Sequence, residues 1–549
     1  MGTHTVTNQV PPLPEHNTFA ADRVLVEAVQ RWGGPGVEET LHDLGRRAGT
    51  AEARAWGDDA DVHPPRLRTH SPGGERVDRV DYHPAYHQLL GVAVGAGLTG
   101  EPWTRPPGSG AHLRRAAGFL MWSQVEAGHG CPVSMSYAAV PALRHDAELA
   151  ARWVPRLASR TYQPELRPVA EKESALCGMG MTEKQGGSDV RANTTTARPV
   201  GSGPVPGEAY RLTGHKWFCS APMSDGFLIL AQAPGGLTCF VVPRVLDDSS
   251  SNFFAWQRLK DKLGNRANAS SEVELEGTWA SRLGDEGRGV RTIIDMVGAT
   301  RLDCVLGSAA TMRQATVRAI HHARHRRAFG APLVDQPLML NVLADLVLES
   351  EAATLIGMRL AHAVDAGETA FGRLAVGAAK FWVCKRAVPV VAEALECLGG
   401  NGYVEENGLA RLYREAPLNS IWEGSGNIIA LDVLRAAQDP VAVEAMDAEL
   451  TPARGLDRRL DAAIDDVRDA LAAVPSADPT KAQLGARRLS ERLAVTLQAA
   501  LLARYAPPAV ADAFVADRLA GDHGQTFGAL SGTTTHRARE LVDRAFSLY

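Results

Sequence analysis

The chain has 549 residues, of which 45% are hydrophobic and 22% charged, a composition that excludes a wholly disordered protein. Its 58 lysines and arginines against 63 aspartates and glutamates give a net charge of −5, which argues against a protein that is basic over its whole surface. The length is too great for a single hydrophobic core and predicts about three or four domains.

The cysteines and the apolar runs of the sequence indicate the cellular compartment. The seven cysteines are odd in number, scattered and without a C-x-x-C pair, so we expect free thiols in a reducing environment. The N-terminus has no basic stretch followed by an apolar segment, and the longest apolar run, residues 226–243, is interrupted by QAPGG. We therefore expect a cytoplasmic protein with neither an export signal nor a membrane partner.

The 17 histidines contain no H-E-x-x-H motif. His83 and His87 are four residues apart, but Pro84 lies between them and no carboxylate stands beside them. This favours packing or capping histidines over metal ligands, and no metal site is predicted.

Hydrophobic periodicity divides the chain. Residues 20–165 have helical patterns; in residues 111–127, for example, apolar side chains recur along one face. From about 170 to 281, turn residues separate short β-rich runs, which we predict as strands at 209–221, 226–233, 237–243 and 271–277. The GSGPVPG stretch at 201–207 predicts a hairpin loop and not a phosphate cradle.

Helical patterns return over residues 288–437 and again after Asp439-Pro440, where the chain is rich in alanine and arginine. This order predicts an α+β fold with segregated domains and not alternating βαβ units. We expect an N-terminal helical domain (1–170), a middle antiparallel β domain (171–281), a helical bundle (282–440) and an additional C-terminal helical domain (441–549).

The first candidate site is the glycine-rich segment 177–189, CGMGMTEKQGGSD. Its small residues let a ligand approach the backbone. Consecutive N–H groups, with the hydroxyls of Thr182 and Ser188, offer donors to a phosphate or a polar ring edge. The alternative is a glycine-rich turn without a ligand.

The second candidate site is the predicted strand segment 214–220, GHKWFCS. Trp217 and Phe218 are consecutive, so their side chains face opposite sides of the strand. One ring can pack in the core while the other contacts a ligand; the alternative is that both aromatics are structural.

The third candidate site is Glu423, which follows Ile421-Trp422 and precedes Gly-Ser-Gly. A carboxylate beside an indole in an apolar cleft suits a general base, and the flexible glycines would admit a ligand carbonyl. The alternative is a carboxylate near the start of a helix, where the helix dipole stabilises it.

Five ordered motifs together resemble the acyl-CoA dehydrogenase superfamily of flavoproteins. They are MTEKQGGSD at 181–189, KWFCS at 216–220, RRAFG at 326–330, ECLGGNG at 396–402 and IWEGS at 421–425. Each motif alone is modest, but the ordered set is specific. Features that extend over the whole chain, including TVTNQVPPL, HPAYH and the segment after residue 440, are similar to the AidB-like, alkylation-response branch.

The resemblance implies one FAD in each subunit of a homotetramer, because the family's cofactor lies between subunits. It assigns the flavin and pyrophosphate to Met179, Gly180, Met181, Thr182, Gly187 and Ser188. It also implies that the flavin ring is flanked by Trp217, Phe218, Cys219 and Ser220. Arg326 would reach the FAD of a neighbouring subunit. The adenosine part would contact Glu396, Gly399 and Gly400. The site would be closed by Ile421, Trp422, Gly424, Ser425, Gly426 and Asn427. Where this chain has Cys219 the family most often has threonine, and a thiol is the poorer hydrogen-bond donor.

The family's reaction is α,β-dehydrogenation of an acyl thioester, which the resemblance extends to an acyl-CoA substrate here. Glu423 occupies the usual position of the base. In some branches the base is the residue just before the arginine that corresponds to Arg301, which is a substrate-side residue. This chain has Thr300 at that position, and a threonine cannot act as the base.

Two classes of function stay open: an acyl-CoA dehydrogenase, on a short or branched acyl chain for example, and a flavoprotein that associates with duplex DNA in the alkylation response. AidB-like proteins are poor dehydrogenases whose substrate is unsettled. Residues 441–549 carry 13 basic and 15 acidic residues, but arginines are grouped there. Arg487, Arg488 and Arg492 are candidate phosphate contacts, insensitive to sequence; solvated helix faces are the alternative.

Overall fold

The computed structural model describes residues 2–201, 208–521 and 524–546. The helices within these residues are α1 (Arg23–Trp32), α2 (Val37–Ala48), α3 (Ala51–Val62), α4 (Pro84–Gly95), α5 (Ala111–Ser123), α6 (Gly130–Leu143), α7 (Ala147–Leu157), α8 (Gly289–Thr292), α9 (Ile294–His325), α10 (Pro337–Asp365), α11 (Thr369–Glu396), α12 (Leu409–Glu415), α13 (Gly426–Ala436), α14 (Pro440–Leu450), α15 (Arg458–Ala473), α16 (Pro479–Tyr505), α17 (Pro508–Arg518), α18 (Gly532–Thr535) and α19 (Ala538–Ala545). The strands are β1 (Arg66–His70), β2 (Arg76–Asp81), β3 (Cys177–Gly180), β4 (Thr196–Pro199), β5 (Ala209–Ser220), β6 (Gly226–Ala233), β7 (Gly236–Pro243), β8 (Ala255–Leu259), β9 (Ser270–Leu283), β10 (Arg327–Ala328) and β11 (Ala331–Pro332).

The chain forms two compact units. One unit contains residues 52–106 and 125–300; the other contains residues 1–51, 107–124 and 301–549. We call them the β unit and the helical unit. The four segments expected from the sequence do not coincide with these two units: the first 170 residues are divided between them, and everything after residue 301 lies in the helical unit.

A seven-stranded sheet is the centre of the β unit. Its strand order is β3-β6-β4-β5-β9-β7, with β8 on β9, and β7 also pairs with β6, so the sheet closes on itself. Most pairings are antiparallel, but β3 and β4 pair with β6 in parallel. Alternating apolar residues fill the interior, among them Phe227, Ile229, Phe240 and Trp256. Helices α6 and α7 bury Trp153 and Leu157 against β3, β6 and β7.

Long helices build the core of the helical unit. Helix α11 packs against α10, α13, α14 and α16, and α16 also packs against α10 and α13. Helix α10 is buried without interruption from Leu343 to Ala361, and α11 is buried over most of its central turns, including the charged Lys380. The C-terminal helices are therefore part of one core with the preceding bundle.

The structure confirms the α+β fold class and the four predicted β-rich strands, which are β5, β6, β7 and β9. The helix predicted at 111–127 is α5, which ends at Ser123. The stretch at 201–207 lies outside the described residues from 202 onward, and the strands on either side of it, β4 and β5, pair antiparallel. None of the described helices combines the length and apolar composition that crossing a bilayer requires.

One element contradicts the prediction that residues 20–165 are helical. Strands β1 and β2 form an antiparallel hairpin in that region. Both strands are rich in charge and largely exposed, so neither periodicity nor hydrophobicity indicates them. The hairpin is held by packing of β1 on β8 and by a hydrogen bond from Arg76 to the Trp256 carbonyl, 3.3 Å long.

The predicted capping role of His83 is confirmed. Its Nδ1 accepts a hydrogen bond from the Ala85 N–H at the start of α4. The Nδ1 of His87 lies 2.8 Å from the Tyr162 hydroxyl. All seven cysteines are buried free thiols.

Candidate functional site

A buried ion pair joins the first two candidate sites, both of which lie in the β unit. The Nζ of Lys216 on β5 is 2.8 Å from Oε1 of Glu183 in the glycine-rich segment, and both side chains are fully buried. Lys216 also donates to the Leu230 carbonyl, at 2.7 Å. The N–H of Trp217 donates to the Thr182 carbonyl, at 2.9 Å, so backbone and side chain together fix the segment beside the strand.

Glu183 organises the rest of the glycine-rich segment. Its carboxylate accepts hydrogen bonds from Gln185, from the backbone and hydroxyl of Thr194, and from the Thr195 backbone. Burial acts to raise the pKa of Glu183, but Lys216 and these donors outweigh it and hold the pKa well below its usual range. The carboxylate therefore stays ionised across the neutral range as the anchor of this segment.

Neither ring of the aromatic pair on β5 is packed in the core: the pairing of β5 with β9 is irregular between Lys216 and Cys219, and the Lys260 ammonium lies over both rings. Trp217 is half-buried and Phe218 is 51% exposed. The Nζ of Lys260 lies 3.2 Å from the centre of the Trp217 ring. A strand that leaves a large aromatic uncovered offers a surface for another flat ring.

Cys219 and Ser220 differ in what they can offer a ligand. The Cys219 side chain is fully buried in the apolar core, and its Sγ lies 3.7 Å from the Met179 carbonyl. The Cys219 backbone is buried as well, and its carbonyl accepts a hydrogen bond from the Ser271 hydroxyl, at 2.6 Å. The half-buried Ser220 has its hydroxyl 3.3 Å from that of Ser270.

The exposed part of the glycine-rich segment supplies polar groups. Gly187 and Ser188 are exposed, whereas Met179, Met181 and Thr182 are partly buried. A Cβ on Gly187 would come within 2.4 Å of the Thr182 hydroxyl, so only glycine fits there. Accessible backbone N–H groups and hydroxyls suit the phosphates and polar ring edge of a nucleotide cofactor.

Glu423 lies in a strained loop of the helical unit, residues 421–425, which we call the Glu423 loop. Glu423 has a φ of 55° and Gly424 a φ of 103°. A left-handed conformation costs a non-glycine residue roughly 1–3 kcal/mol, so other contacts must hold it. They come from Lys380 and Arg301.

Two cations bind consecutive carbonyl groups of this loop. The Nζ of Lys380, on α11, donates to the carbonyls of Trp422 at 2.9 Å and Gly424 at 2.8 Å. The Nε of Arg301 donates to the Glu423 carbonyl, at 3.2 Å. The pKa of the nearby Cys304 thiol is raised by burial; Lys380 acts to lower it and Glu423 to raise it, which puts both charges close to this buried sulfur.

Arg301 also pairs with a carboxylate. Its Nη1 is 2.6 Å from Asp432 on α13, and Arg373 binds the same carboxylate with two hydrogen bonds of 3.1 Å. Burial acts to raise the pKa of Asp432, but Arg373 and Arg301 outweigh it and lower that pKa. The predicted substrate residue Arg301 is thus engaged between the Glu423 loop and α13.

Further contacts fix both ends of the Glu423 loop. The indole N–H of Trp422 donates to Asn419, at 2.8 Å. At the start of α13, the Asn427 side chain accepts a 2.8 Å hydrogen bond from Arg487, whose guanidinium also lies over the Phe381 ring. Ile421, Ser425 and Asn427 are exposed, and Gly426 is half-buried. Arg487, predicted as a DNA contact, therefore binds a residue predicted to close the flavin site.

The remaining predicted cofactor residues of the helical unit lie at its surface. Arg326 donates to the Asn8 carbonyl, and Glu396, Gly399 and Gly400 are exposed. Phe329, three residues after Arg326, has a φ of 50° and is 97% exposed.

Four of the grouped C-terminal arginines have carboxylate partners. Arg459 and Arg537 pair with Asp512, Arg539 with Asp335 and Arg544 with Glu27 and Glu351. Arg488 and Arg492, one turn apart on α16, are exposed and half-buried respectively, and neither has an ion-pair partner within the described part of the chain.

The sequence did not indicate a cavity of about 700 Å³ in the β unit. Its walls come from the β1–β2 hairpin, α4, residues 162–171 and the loops that follow β5 and β7. Three buried polar atoms on its walls have no hydrogen-bond partner: Oδ1 of Asp78, Oγ of Ser224 and Nε of Arg244.

Three families match successive parts of the chain. Residues 8–164 match the adaptive response protein AidB N-terminal domain, residues 178–278 the acyl-CoA dehydrogenase middle domain, and residues 287–438 the acyl-CoA dehydrogenase C-terminal domain. The chain is 45% identical to the AidB protein of Escherichia coli (strain K12) over 518 residues, which are 93% of this chain and 94% of the relative.

Solved structures agree with this match. Caenorhabditis elegans ACDH-11, crystallised in complex with C11-CoA, superposes with a TM-score of 0.83 and 26% identity over 100% of this chain and 95% of that chain. Bd2924 in its apo form superposes with a TM-score of 0.80 and 28% identity, over 92% of this chain and 100% of that chain.

Proposed function

Because this chain belongs to the acyl-CoA dehydrogenase family, in its AidB branch, we propose that it introduces a double bond between Cα and Cβ of an acyl-CoA thioester. The observation that carries the proposal is the Glu423 loop, in which two cations hold a carboxylate-bearing residue in a left-handed conformation. A backbone conformation maintained at this cost serves to direct one side chain.

Proteins of this family are flavoproteins that bind FAD, and the exposed groups of the β unit fit that cofactor. The uncovered face of Phe218 suits contact with a flat ring system, and the donors from Thr182 to Ser188 suit its polar edge and pyrophosphate. When bound, FAD accepts the hydride that leaves the β-carbon of the substrate.

In this proposal Glu423 is the general base. Its carboxylate accepts the α-proton, and the electron pair of that C–H bond becomes part of the new double bond. Arg301 and Lys380 hold the backbone on which this carboxylate is carried, so we assign Arg301 to the loop and not to the substrate.

Anaerobic mixing of the FAD-loaded chain with acyl-CoAs tests this proposal. Undecanoyl-CoA is the first probe, because a related protein was crystallised with a C11-CoA; shorter, longer and branched acyl groups complete the panel, and coenzyme A alone is the control. The proposal requires at least one acyl-CoA to bleach the flavin absorbance. If no acyl-CoA bleaches a flavin that dithionite does reduce, the dehydrogenase proposal fails.

A second candidate function is sequence-independent association with duplex DNA in an alkylation response. The observation that favours it is the pair Arg488 and Arg492 on α16, which have no carboxylate partner among the described residues, unlike Arg459 and Arg544. Arg487 is engaged with Asn427, so we leave it out of this surface. Such binding weakens steeply with salt, since phosphate contacts release counterions.

Fluorescence anisotropy of a labelled duplex at low and physiological salt measures this association. The double variant Arg488→Ala, Arg492→Ala should bind more weakly than the wild type and show a shallower salt dependence. The matched control is Arg458→Ala, at an exposed arginine of α15. Equal binding by the double variant and the wild type would remove α16 as the DNA surface.

We further propose that the chain assembles as a homotetramer in the cytoplasm. Phe329 and Leu338 support assembly, since they are 97% and 83% exposed and a second chain would cover such apolar surface. Seven buried free thiols fit a reducing compartment. Light scattering coupled to size exclusion measures the assembly: a mass of four chains supports the proposal, and a monomer contradicts it.

A further inference from the structure

Lys380 is a buried charged residue in an otherwise apolar part of α11. Its side chain is 2% exposed, in a helix whose surrounding positions are occupied by Ala379, Phe381 and Val383. Burying an ammonium group is costly unless it is paired and hydrogen-bonded. Among the residues that the structure describes, no carboxylate lies within ion-pair distance of Lys380; its partners are two backbone carbonyls.

Those two carbonyls lie on either side of Glu423. Lys380 is 42 residues from Trp422 and 44 from Gly424 in sequence, and it bonds both oxygens at 2.9 and 2.8 Å. The Trp422 carbonyl belongs to the peptide that precedes Glu423, and the Gly424 carbonyl belongs to the peptide that follows Gly424, so Lys380 restrains the chain on both sides of the Glu423–Gly424 pair. Together with Arg301, which bonds the carbonyl of the peptide between them, Lys380 holds Glu423 at its φ of 55° and so sets the direction of the Cα–Cβ bond.

Arg301 has a different part in the same loop. It bonds the Glu423 carbonyl through Nε, but its Nη1 binds Asp432, whose carboxylate compensates the charge. The Lys380 ammonium, by contrast, has only backbone dipoles to compensate its charge. Lys380 is therefore a buried cation that bonds the Glu423 loop and has no carboxylate as counter-ion among the described residues.

We propose that Lys380 is a positioning residue that sets the direction of the base Glu423. This inference rests on the proposed dehydrogenase function for its chemical consequence, but the restraint on the loop is independent of that function. Methionine at position 380 would keep most of the volume and remove both hydrogen bonds and the charge.

The test compares the wild type, Lys380→Met and Val391→Ala, all as full chains loaded with FAD. Val391 is fully buried on the same helix, three turns away, so its variant controls for lost stability of α11. The first measurement is hydrogen exchange of the amides in the Glu423 loop. Lys380→Met should exchange faster there, and Val391→Ala should not.

The second measurement is anaerobic flavin reduction by undecanoyl-CoA. In Lys380→Met the limiting rate should fall by about 10²-fold, as small misplacements of a reacting group do, while the half-saturating concentration stays close to that of the wild type. Val391→Ala should change neither the limiting rate nor the half-saturating concentration.

The outcomes separate the two claims. If the wild type is reduced, and Lys380→Met matches it in loop exchange and in limiting rate, the positioning role is refuted and the dehydrogenase function stands. If the loop of Lys380→Met exchanges faster but undecanoyl-CoA does not reduce the wild-type flavin, the restraint is supported and the proposed function fails for this substrate. Should Lys380→Met not fold, Lys380→Gln replaces it, since its amide lacks the charge and the reach to bond both oxygens.

Discussion

The ion pair between Lys216 and Glu183 yields a prediction whose size follows from burial. Both side chains are fully buried, so Lys216→Met leaves a carboxylate in the interior without its cation. Removing one member of a buried pair costs about 3–5 kcal/mol. The donors from Gln185, Thr194 and Thr195 remain on Glu183 and favour the lower end of this range.

The loss should be visible as a lower unfolding temperature of the β unit. For a unit of about 230 residues, each kcal/mol lowers the transition by roughly 2–4 °C, so we expect a shift of about 6–20 °C. Differential scanning calorimetry of the full chain measures it. FAD affinity should fall as well, because the pair joins the glycine-rich segment to the strand that carries Trp217 and Phe218.

The matched control is Lys184→Met, which removes an exposed lysine next to Glu183 in the chain. In a double-mutant cycle with Glu183→Gln, the two substitutions together should cost less than the sum of the single ones, because each single variant leaves an uncompensated partner. The reasoning is refuted if Lys216→Met lowers the transition by no more than Lys184→Met does, or if the two costs are additive.

Two further predictions concern the pH dependence of stability in the β unit and the hydrogen bond at the start of α13. The pKa of Glu183 lies below its unfolded value of about 4.3, so its stabilisation is complete above that pH and is lost as pH falls further. Calorimetry between pH 6 and 3 should show the β-unit transition of the wild type falling more steeply below about pH 4.3 than that of Lys216→Met, in which Glu183 has lost the cation that lowers its pKa; parallel profiles would contradict this. Arg487→Ala removes the 2.8 Å hydrogen bond to Asn427 and should weaken FAD binding measured by ultrafiltration, whereas Arg488→Ala should not.

Local patterns made much of the fold predictable. Strands β5, β6, β7 and β9 were predictable because apolar runs and turn residues are local signals. Helix α9 was predictable because its helical pattern extends over 32 residues. The β1–β2 hairpin was not, since its stability comes from tertiary packing on β8 and its own residues are charged and exposed.

The candidate site shows the same division. Glu423 and the glycine-rich segment stand in recognisable motifs. Lys380 was missed because it binds backbone carbonyls more than forty residues away, and any residue carries a carbonyl, so no side-chain pattern marks the contact. The one local signal was a lysine inside the apolar run GAAKFWV. The contact of Arg487 with Asn427 was missed for the same reason of distance, 60 residues.

The most direct test of the central claim is the role of Glu423 as base. Glu423→Gln removes the proton acceptor and keeps the shape of the side chain; Glu406→Gln, at an exposed glutamate of the same unit, is the control. The measurement is the rate of flavin bleaching when the FAD-loaded chains are mixed anaerobically with undecanoyl-CoA. We predict a loss of about 10²–10⁴-fold in Glu423→Gln with FAD still bound, and an unchanged rate in Glu406→Gln. Wild-type rates in Glu423→Gln would contradict the account.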